Sequence, residues 1–433
     1  MHRSPSTGLK SRQLVAQSVA SCLPAKLLPY NWDQKLRDLI IGISLSRSLL
    51  LQSIAQTRPG NVKTYENLLS AFLGQQRLEM RSPYEAYVRS VLGRISRRRL
   101  HKHHGKAVII IDSTSHAKAR SRGKIRPMPG AGKVRVHNLP TKETVLVPGY
   151  QEIWLGLLLS DHTVLPIQRK LWSEKGKEPA SLNLTEEAAI RQACELVREV
   201  FKIDVILVAD SGFRRKDLLH DLKRIEKIDF VIRLEGKLTV RVDVDTGLLR
   251  DLAPLWPKRL LMQWRDAGKH PLLSRVAVRR IAAVDSRGAE FSFNALFLMH
   301  ENGPLEPMFL ATTLTTATNA DVMAIVRLYS WRWGIETFFW NFKNGLQAKT
   351  WRVFSCWEAI DRLLTAAHMA YLALILMAEF CQKGHARARP FMRRIDNILR
   401  TRFARPPKLT RGRFFQIIAM DFPSPRLLDE ALL

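Results

Sequence analysis

Two short runs of apolar, mostly β-branched residues each close on an aspartate: "KAVIIIDSTSH" reaches Asp112 and "DVILVADSGF" reaches Asp210. A run of that length without alternation reads as a buried strand, here with a carboxylate at its C-terminal tip. In an open α/β sheet, sites gather beyond the C-terminal ends of the strands, so the two aspartates converge if their strands are neighbours. Between them lie two more apolar runs, "ETVLVPGYQEIWLGLLLSD" and "TVLPIQRKLW", and then a helix, "TEEAAIRQACELVREVF". Thr185 is its expected N-cap, with two glutamates in the first turn.

Strand, strand, strand, helix, strand is the order of a ribonuclease-H-like core, in which a crossover helix returns a strand beside the first. The expected fold class is therefore α/β: a ribonuclease-H-like catalytic core with a β-rich insertion, flanked by helical N-terminal and C-terminal regions. Residues 1–105 carry helical periodicity in "WDQKLRDLIIGISLSRSLLLQSIAQ", "TYENLLSAFLG" and "SPYEAYVRSVLGRISRRRL", broken at Pro59-Gly60 and before Pro83. They hold 17 Lys and Arg against 5 acids and suit a DNA-binding domain. Residues 106–227 form the first part of the core. Within them, 113–142 carry eight Lys and Arg and no acid, which predicts a mobile cationic loop beside Asp112. Residues 228–318 form the β-rich insertion, where "KLTVRVDVD" alternates and predicts Leu238, Val240, Val242 and Val244 on one face. Residues 319–362 return to the core. Residues 363–433 form a helical, basic C-terminal region, its last part rich in arginine.

A third carboxylate comes from "LYSWRWGIETFFWNFKNG", residues 328–345. On a helix advancing about 100° per residue, Arg332, Glu336 and Lys343 fall within roughly 40° of arc, joined by Tyr329 if the helix extends back to it. Ile335, Phe338, Phe339 and Phe342 occupy the adjacent arc and would anchor the helix on the sheet, with Asn344-Gly345 as its stop. Three carboxylates are what two-metal phosphoryl transfer needs: hard cations such as Mg²⁺ take a few oxygen ligands and leave room for water and phosphate. Asp112 is expected to bridge two ions, with Asp210 and Glu336 each holding one, while Arg332 and Lys343 hold phosphate oxygens.

The charge balance agrees. Lys and Arg total 69 against 39 acidic residues, a formal net charge of +30, which favours a polyanion, with DNA or RNA ahead of an anionic membrane surface. The four cysteines match neither zinc nor disulfide spacing, so a reducing, cytoplasmic setting is expected. The apolar stretch 363–380 is barely long enough to span a bilayer and contains His368 and Glu379; it reads as a buried core helix.

Tyr329, Arg332, Glu336 and Lys343, at spacings of two, three and six intervening residues, resemble the YREK signature of DDE transposases of the insertion-sequence-four-like group, which includes the Tn-five transposase. "IIIDSTSH" and "VADSGFRR" look like that family's first and second aspartate blocks, and the β-rich block matches its insertion in position. The resemblance spans about residues 105–350. It implies cut-and-paste DNA transposition: binding of terminal inverted repeats, cleavage, then strand transfer by the freed 3′-hydroxyl, often through a hairpin. It further implies a metal-binding triad of Asp112, Asp210 and Glu336, two Mg²⁺ ions for which Mn²⁺ substitutes, and DNA contacts from Tyr329, Arg332 and Lys343. The partners implied are double-stranded DNA, as element ends and target, and a second copy in a synaptic homodimer, in bacterial cytoplasm at the nucleoid. Where some relatives carry a lysine one turn after the glutamate, this sequence has Trp340.

Several residues read more plainly. His116 is expected as a loop histidine, and Trp256 and Trp264 as packing residues of the β-rich block; Arg214 and Arg215 leave phosphate contact and solvation open. The rival function is a non-catalytic DNA-binding protein, a repressor or architectural factor derived from a transposase.

Overall fold

The computed structural model describes residues 5–117, 132–138, 143–172, 186–265, 271–301, 306–346 and 356–382. The N-terminal part is helical: α1 (Pro5–Cys22), α2 (Tyr30–Ser46), α3 (Leu51–Ala55), α4 (Val62–Leu73) and α5 (Arg81–Arg94). The periodic stretch around residues 32–56 is two helices, because Arg47 turns left-handed (φ 49°) and caps α2. Ser46 and Ser48 supply hydroxyls to the backbone N–H groups of Ser48 and Leu50 there, offering the chain an alternative to helical bonding. Asn61 caps α4 by accepting from the Thr64 N–H at 3.0 Å. Pro83 lies in the first turn of α5, where its missing N–H costs nothing.

The chain then builds β1 (Lys102–His103), β2 (Lys106–Ala117), β3 (Gly132–Asn138), β4 (Glu143–Leu158) and β5 (Val164–Trp172), crosses over by α6 (Glu186–Phe201), and adds β6 (Val205–Ala209), α7 (Lys216–Arg224) and β7 (Asp229–Leu234). β2 pairs antiparallel with β4 and parallel with β6, β6 pairs parallel with β7, and β5 pairs with β4, so the spatial order is β5, β4, β2, β6, β7. The expected cationic loop is strand at 113–117 and 132–138; the rest of it, like Thr185 and the tail beyond 382, lies outside the described residues.

The β-rich stretch contributes β8 (Thr239–Val242), β9 (Asp245–Leu248), the short α8 (Leu249–Leu252), β10 (Lys258–Arg265), β11 (Pro271–Val284), β12 (Glu290–His300) and β13 (Met308–Thr312). It is continuous with the core sheet: β13 pairs antiparallel with β7, and β12, β11 and β8 follow outward. The alternation from Leu238 stops at a tight turn, where Asp243 takes φ 53°. Val240 and Val242 are buried as expected, but Val244 is 91% exposed because the turn takes it off that face.

Two helices, α9 (Asn319–Ser330) and α10 (Gly334–Trp340), are joined by a 3-10 turn and followed by a π turn over Asn341–Gly345. Thr318 and Asp321 form a reciprocal capping box at the start of α9. α11 (Trp357–Gln382) is long and apolar enough to cross a membrane, yet it is almost wholly buried, packing against α1, α2, α4, α5 and β5. It is the spine on which the N-terminal helices and the sheet meet. Arg362 ties it to α4 by donating to the Leu73 carbonyl at 2.6 Å.

Candidate active site

The parallel ladder between β2 and β6 ends at the pair Ile111 and Ala209, so the next residues on each strand, Asp112 and Asp210, come side by side. Asp112 is not at a strand tip as the sequence suggests: β2 continues to Ala117 because β4 goes on pairing with it, opposite Gly149 at the end. What ends is β6, and that is enough to open a cleft. Asp210 caps a 3-10 turn, accepting from the Gly212 N–H at 2.8 Å. A Cβ at position 212 would lie 3.0 Å from the Asp210 Oδ1, so the tightness of this turn favours glycine.

The third carboxylate arrives on α10, which lies over the face of β2 that carries Asp112 and Thr114. Its anchor is aromatic. Ile335, Phe338 and Phe342 are buried, and Trp154, the register partner of Asp112 on β4, meets Phe338 and Phe342 edge-on at 4.8 and 5.2 Å between ring centroids. Each such side chain stabilises by about 1.5–3 kcal/mol through burial, so the helix position is well determined. Gly334 permits the approach: a Cβ there would stand 2.8 Å from the His162 carbonyl oxygen and from Val164 Cγ2, in the turn between β4 and β5.

Asp112, Asp210, Glu336, Arg332 and Lys343 line one open cleft of about 410 Å³. Arg332 donates to Asp112 Oδ2 at 2.7 Å and to Glu336 Oε1 at 3.1 Å, so one guanidinium spans the two carboxylates. Lys343 reaches Thr114 Oγ1 and lies 3.4 Å from the Ser115 carbonyl oxygen. Burial pushes the Asp112 carboxyl up; Arg332 pulls it down, but Asp210 and Glu336 push the same way as burial, and the result is about 7. For Arg332, burial opposes the charge, yet Asp112, Tyr329, Glu336 and Asp210 together hold it above its ordinary range. Tyr329 does not line the cleft. It is 4% exposed, with the Arg332 guanidinium carbon 6.0 Å from its ring centroid.

Among the described residues, no three His, Cys, Asp or Glu side chains converge on one ion position. The donor set nonetheless fits hard divalent cations shared in pairs. The carboxylates are all oxygen donors, burial and, behind it, Asp210 and Glu336 raise Asp112, and a guanidinium already stands between two of them as a cation would.

Residues 183–373 match the transposase DDE domain family. The match covers less than half of the chain and supports a DDE transposase. It includes Asp210 and the whole of α9 and α10, but begins after Asp112. The mixed α/β sheet described above is compatible with the core of a DDE transposase. No curated protein matches the chain.

His116 is in β2 rather than a loop, buried, with Nε2 2.6 Å from Glu152 Oε2. Glu152 also accepts from Arg169 Nε, and Arg169 continues to Asp361 Oδ1 (2.9 Å) and Thr365 Oγ1 (2.7 Å) on α11. The signal of this chain of charges in the sequence is slight: an acid inside "YQEIWLGLL" and a base inside "VLPIQRKLW". Trp256 and Trp264 are buried, and Trp264 Nε1 donates to Ser274 Oγ at 2.9 Å. Arg215 is paired with Glu186 and Glu187, and Arg214 with Glu235.

Proposed function

We propose that this protein is a cut-and-paste DNA transposase of the insertion-sequence-four-like kind, cleaving at terminal inverted repeats and joining the freed 3′-hydroxyl to target DNA. The observation that carries the reading is the meeting of Asp112, Asp210 and Glu336 in one cleft with Arg332 and Lys343. Asp112 would bridge two divalent cations, with Asp210 and Glu336 each holding one. Bound there, Mg²⁺, or Mn²⁺ in its place, would supply charge stabilisation to the attacking and leaving oxygens of an in-line displacement. Arg332 orients Asp112 and Glu336 and presents positive charge to phosphate; Tyr329 backs its guanidinium from below. Lys343, held against β2, offers a second positive charge.

In the same reading the helical residues 1–105 bind DNA, residues 106–227 and 319–362 form a ribonuclease-H-like core around the β-rich 228–318, and the basic 363–433 add contacts. Two copies pair two element ends in a synaptic complex at the nucleoid. Arg332 and Lys343 contact DNA as the sequence resemblance implies, whereas the buried Tyr329 acts through Arg332.

The test uses supercoiled DNA carrying this gene with its natural flanks, in Mg²⁺ or Mn²⁺, with the native chain and Glu336→Gln. Metal-dependent cuts at fixed element ends are expected, reduced at least about 100-fold in the variant while binding persists. Binding with no cleavage by either protein would favour a repressor-like role. Cleavage by both would mean that Glu336 is not a metal ligand.

A further inference from the structure

A second cavity, of about 350 Å³, lies where three pieces of the chain meet: the loop from α4 into α5, the edge strand β5 and the first turns of α11. It shares no lining residue with the carboxylate cleft and is more enclosed. Five of its side chains are cationic and three acidic, so the wall is net positive. Arg362 matters most among them. It is 7% exposed, and its guanidinium makes one hydrogen bond among the described residues, to the Leu73 carbonyl oxygen. Asp361 beside it is taken by Arg169, and Glu358, one turn back, is half-buried and forms no ion pair with it. Burial therefore holds the Arg362 guanidinium below its ordinary range. Arg77 in the same wall is exposed and has no acid partner among the described residues. Tyr84 Oη, Arg169 Nη2 and Trp357 Nε1 are buried without a hydrogen-bond partner; all three can donate, and no carboxylate or amide oxygen of the wall is left in that state.

Spare donors around a buried guanidinium that lacks a counter-ion call for an occupant rich in acceptors and negatively charged. A phosphate monoester brings about −1.5 to −2 charge at neutral pH and three acceptor oxygens. The volume suits a small organic ligand, and the first turns of α11 add the positive end of a long helix dipole. We propose that this cavity binds a small phosphate monoester of mononucleotide size, its phosphate on Arg362 and Arg77 and its body against Tyr84 and Trp357. A free small molecule fits better than a DNA backbone. A phosphodiester carries a single charge, and its strand must leave on both sides, which an enclosed cavity does not allow. Because the wall exists only when the N-terminal helices are docked on β5 and α11, the ligand stabilises that joint. The site stands apart from the transposase reading and does not depend on it.

The experiment is calorimetric titration of the full-length chain, in metal-free buffer, with deoxyadenosine monophosphate as the probe. One site per chain is expected, together with a raised melting temperature. Arg77→Ala and Arg362→Gln should each weaken binding about 10- to 150-fold, the worth of a hydrogen bond to a charged group. Lys343→Ala, which removes a cation from the carboxylate cleft, should leave the affinity for this probe unchanged, and deoxyadenosine, which lacks the phosphate, should not bind measurably. Arg362→Gln also cuts the tie to Leu73; if that variant does not fold, Arg77→Ala, at an exposed position, decides alone. Binding that is lost in Lys343→Ala and kept in Arg77→Ala would put the phosphate in the carboxylate cleft and overturn the inference. Equal binding of deoxyadenosine, or no saturable binding by folded wild type, would overturn it as well. A single-stranded oligonucleotide with a 5′-hydroxyl that binds wild type and is weakened as much by Arg77→Ala as the monophosphate is would assign the wall to a DNA track instead.

Discussion

At the scale of single residues, the most demanding group is Glu152, fully buried between Arg169 and His116. Burial on its own would raise its carboxyl, but Arg169 and then His116 overcome that and hold it down at about 2. A depressed carboxyl stabilises the fold above its unfolded pKa of 4.5, and that stability is lost as pH falls from there through about 2. Glu152→Gln should cost about 3–5 kcal/mol at neutral pH by removing the buried charge that Arg169 and His116 face, leaving Arg169 only the partly exposed Asp361, and should flatten the melting curve's pH dependence below pH 4.5; thermal melts across pH 2–7 check both. Asp112 has the opposite sign. Its raised value means that the metal-free fold loses stability as pH rises from 3.8 through about 7, so Asp112→Asn should gain melting temperature at pH 8 relative to wild type, read by the same melts. Asp112 and Asp210 were legible in the sequence because each ends an unbroken apolar run. Glu152 was not: its partner Arg169, and Asp361 to which that arginine also donates, are brought close only by the pairing of β4 with β5 and the docking of α11.

At the scale of elements, the stretch from Trp331 to Gly345 changes helix type twice, from 3-10 to α to π. A single regular helix placed Arg332, Glu336 and Lys343 on one side, and the first two do meet; the π turn, which no periodicity signals, widens the last turn before Lys343 reaches β2. The close approach at Gly334 makes this placement fragile. Gly334→Ala must push against backbone at His162, costing about 1–3 kcal/mol of stability, and a displacement of α10 near 1 Å would slow cleavage about 100-fold with DNA binding retained. Melting and single-turnover cleavage measured together distinguish this from simple unfolding. Strand alternation was likewise readable for Val240 and Val242 and misled at Val244, since one aspartate in the left-handed region turns the chain and resets the face.

At the scale of the molecule, an excess of 30 positive charges would make the proposed association with DNA an ion-exchange process. If six to ten phosphates are neutralised, affinity for a non-specific duplex should fall about 10³- to 10⁵-fold between 50 and 200 mM salt, measurable by anisotropy titration. The continuity of the β-rich stretch with the core sheet was hidden from the sequence, because it depends on β7 meeting β13 some eighty residues later. A longer separation in sequence governs α11. It is the spine for α1, α2, α4 and α5, yet it begins more than 260 residues after α5 ends. A ribosome adding about 5–20 residues each second needs roughly 13–50 s to reach it. Until then the N-terminal helices leave the ribosome with their apolar faces waiting, a window in which a chaperone holds the advantage over folding. For the transposase proposed above this is a built-in delay: the helices proposed to grip DNA are not consolidated until the helix that follows α10 has been made.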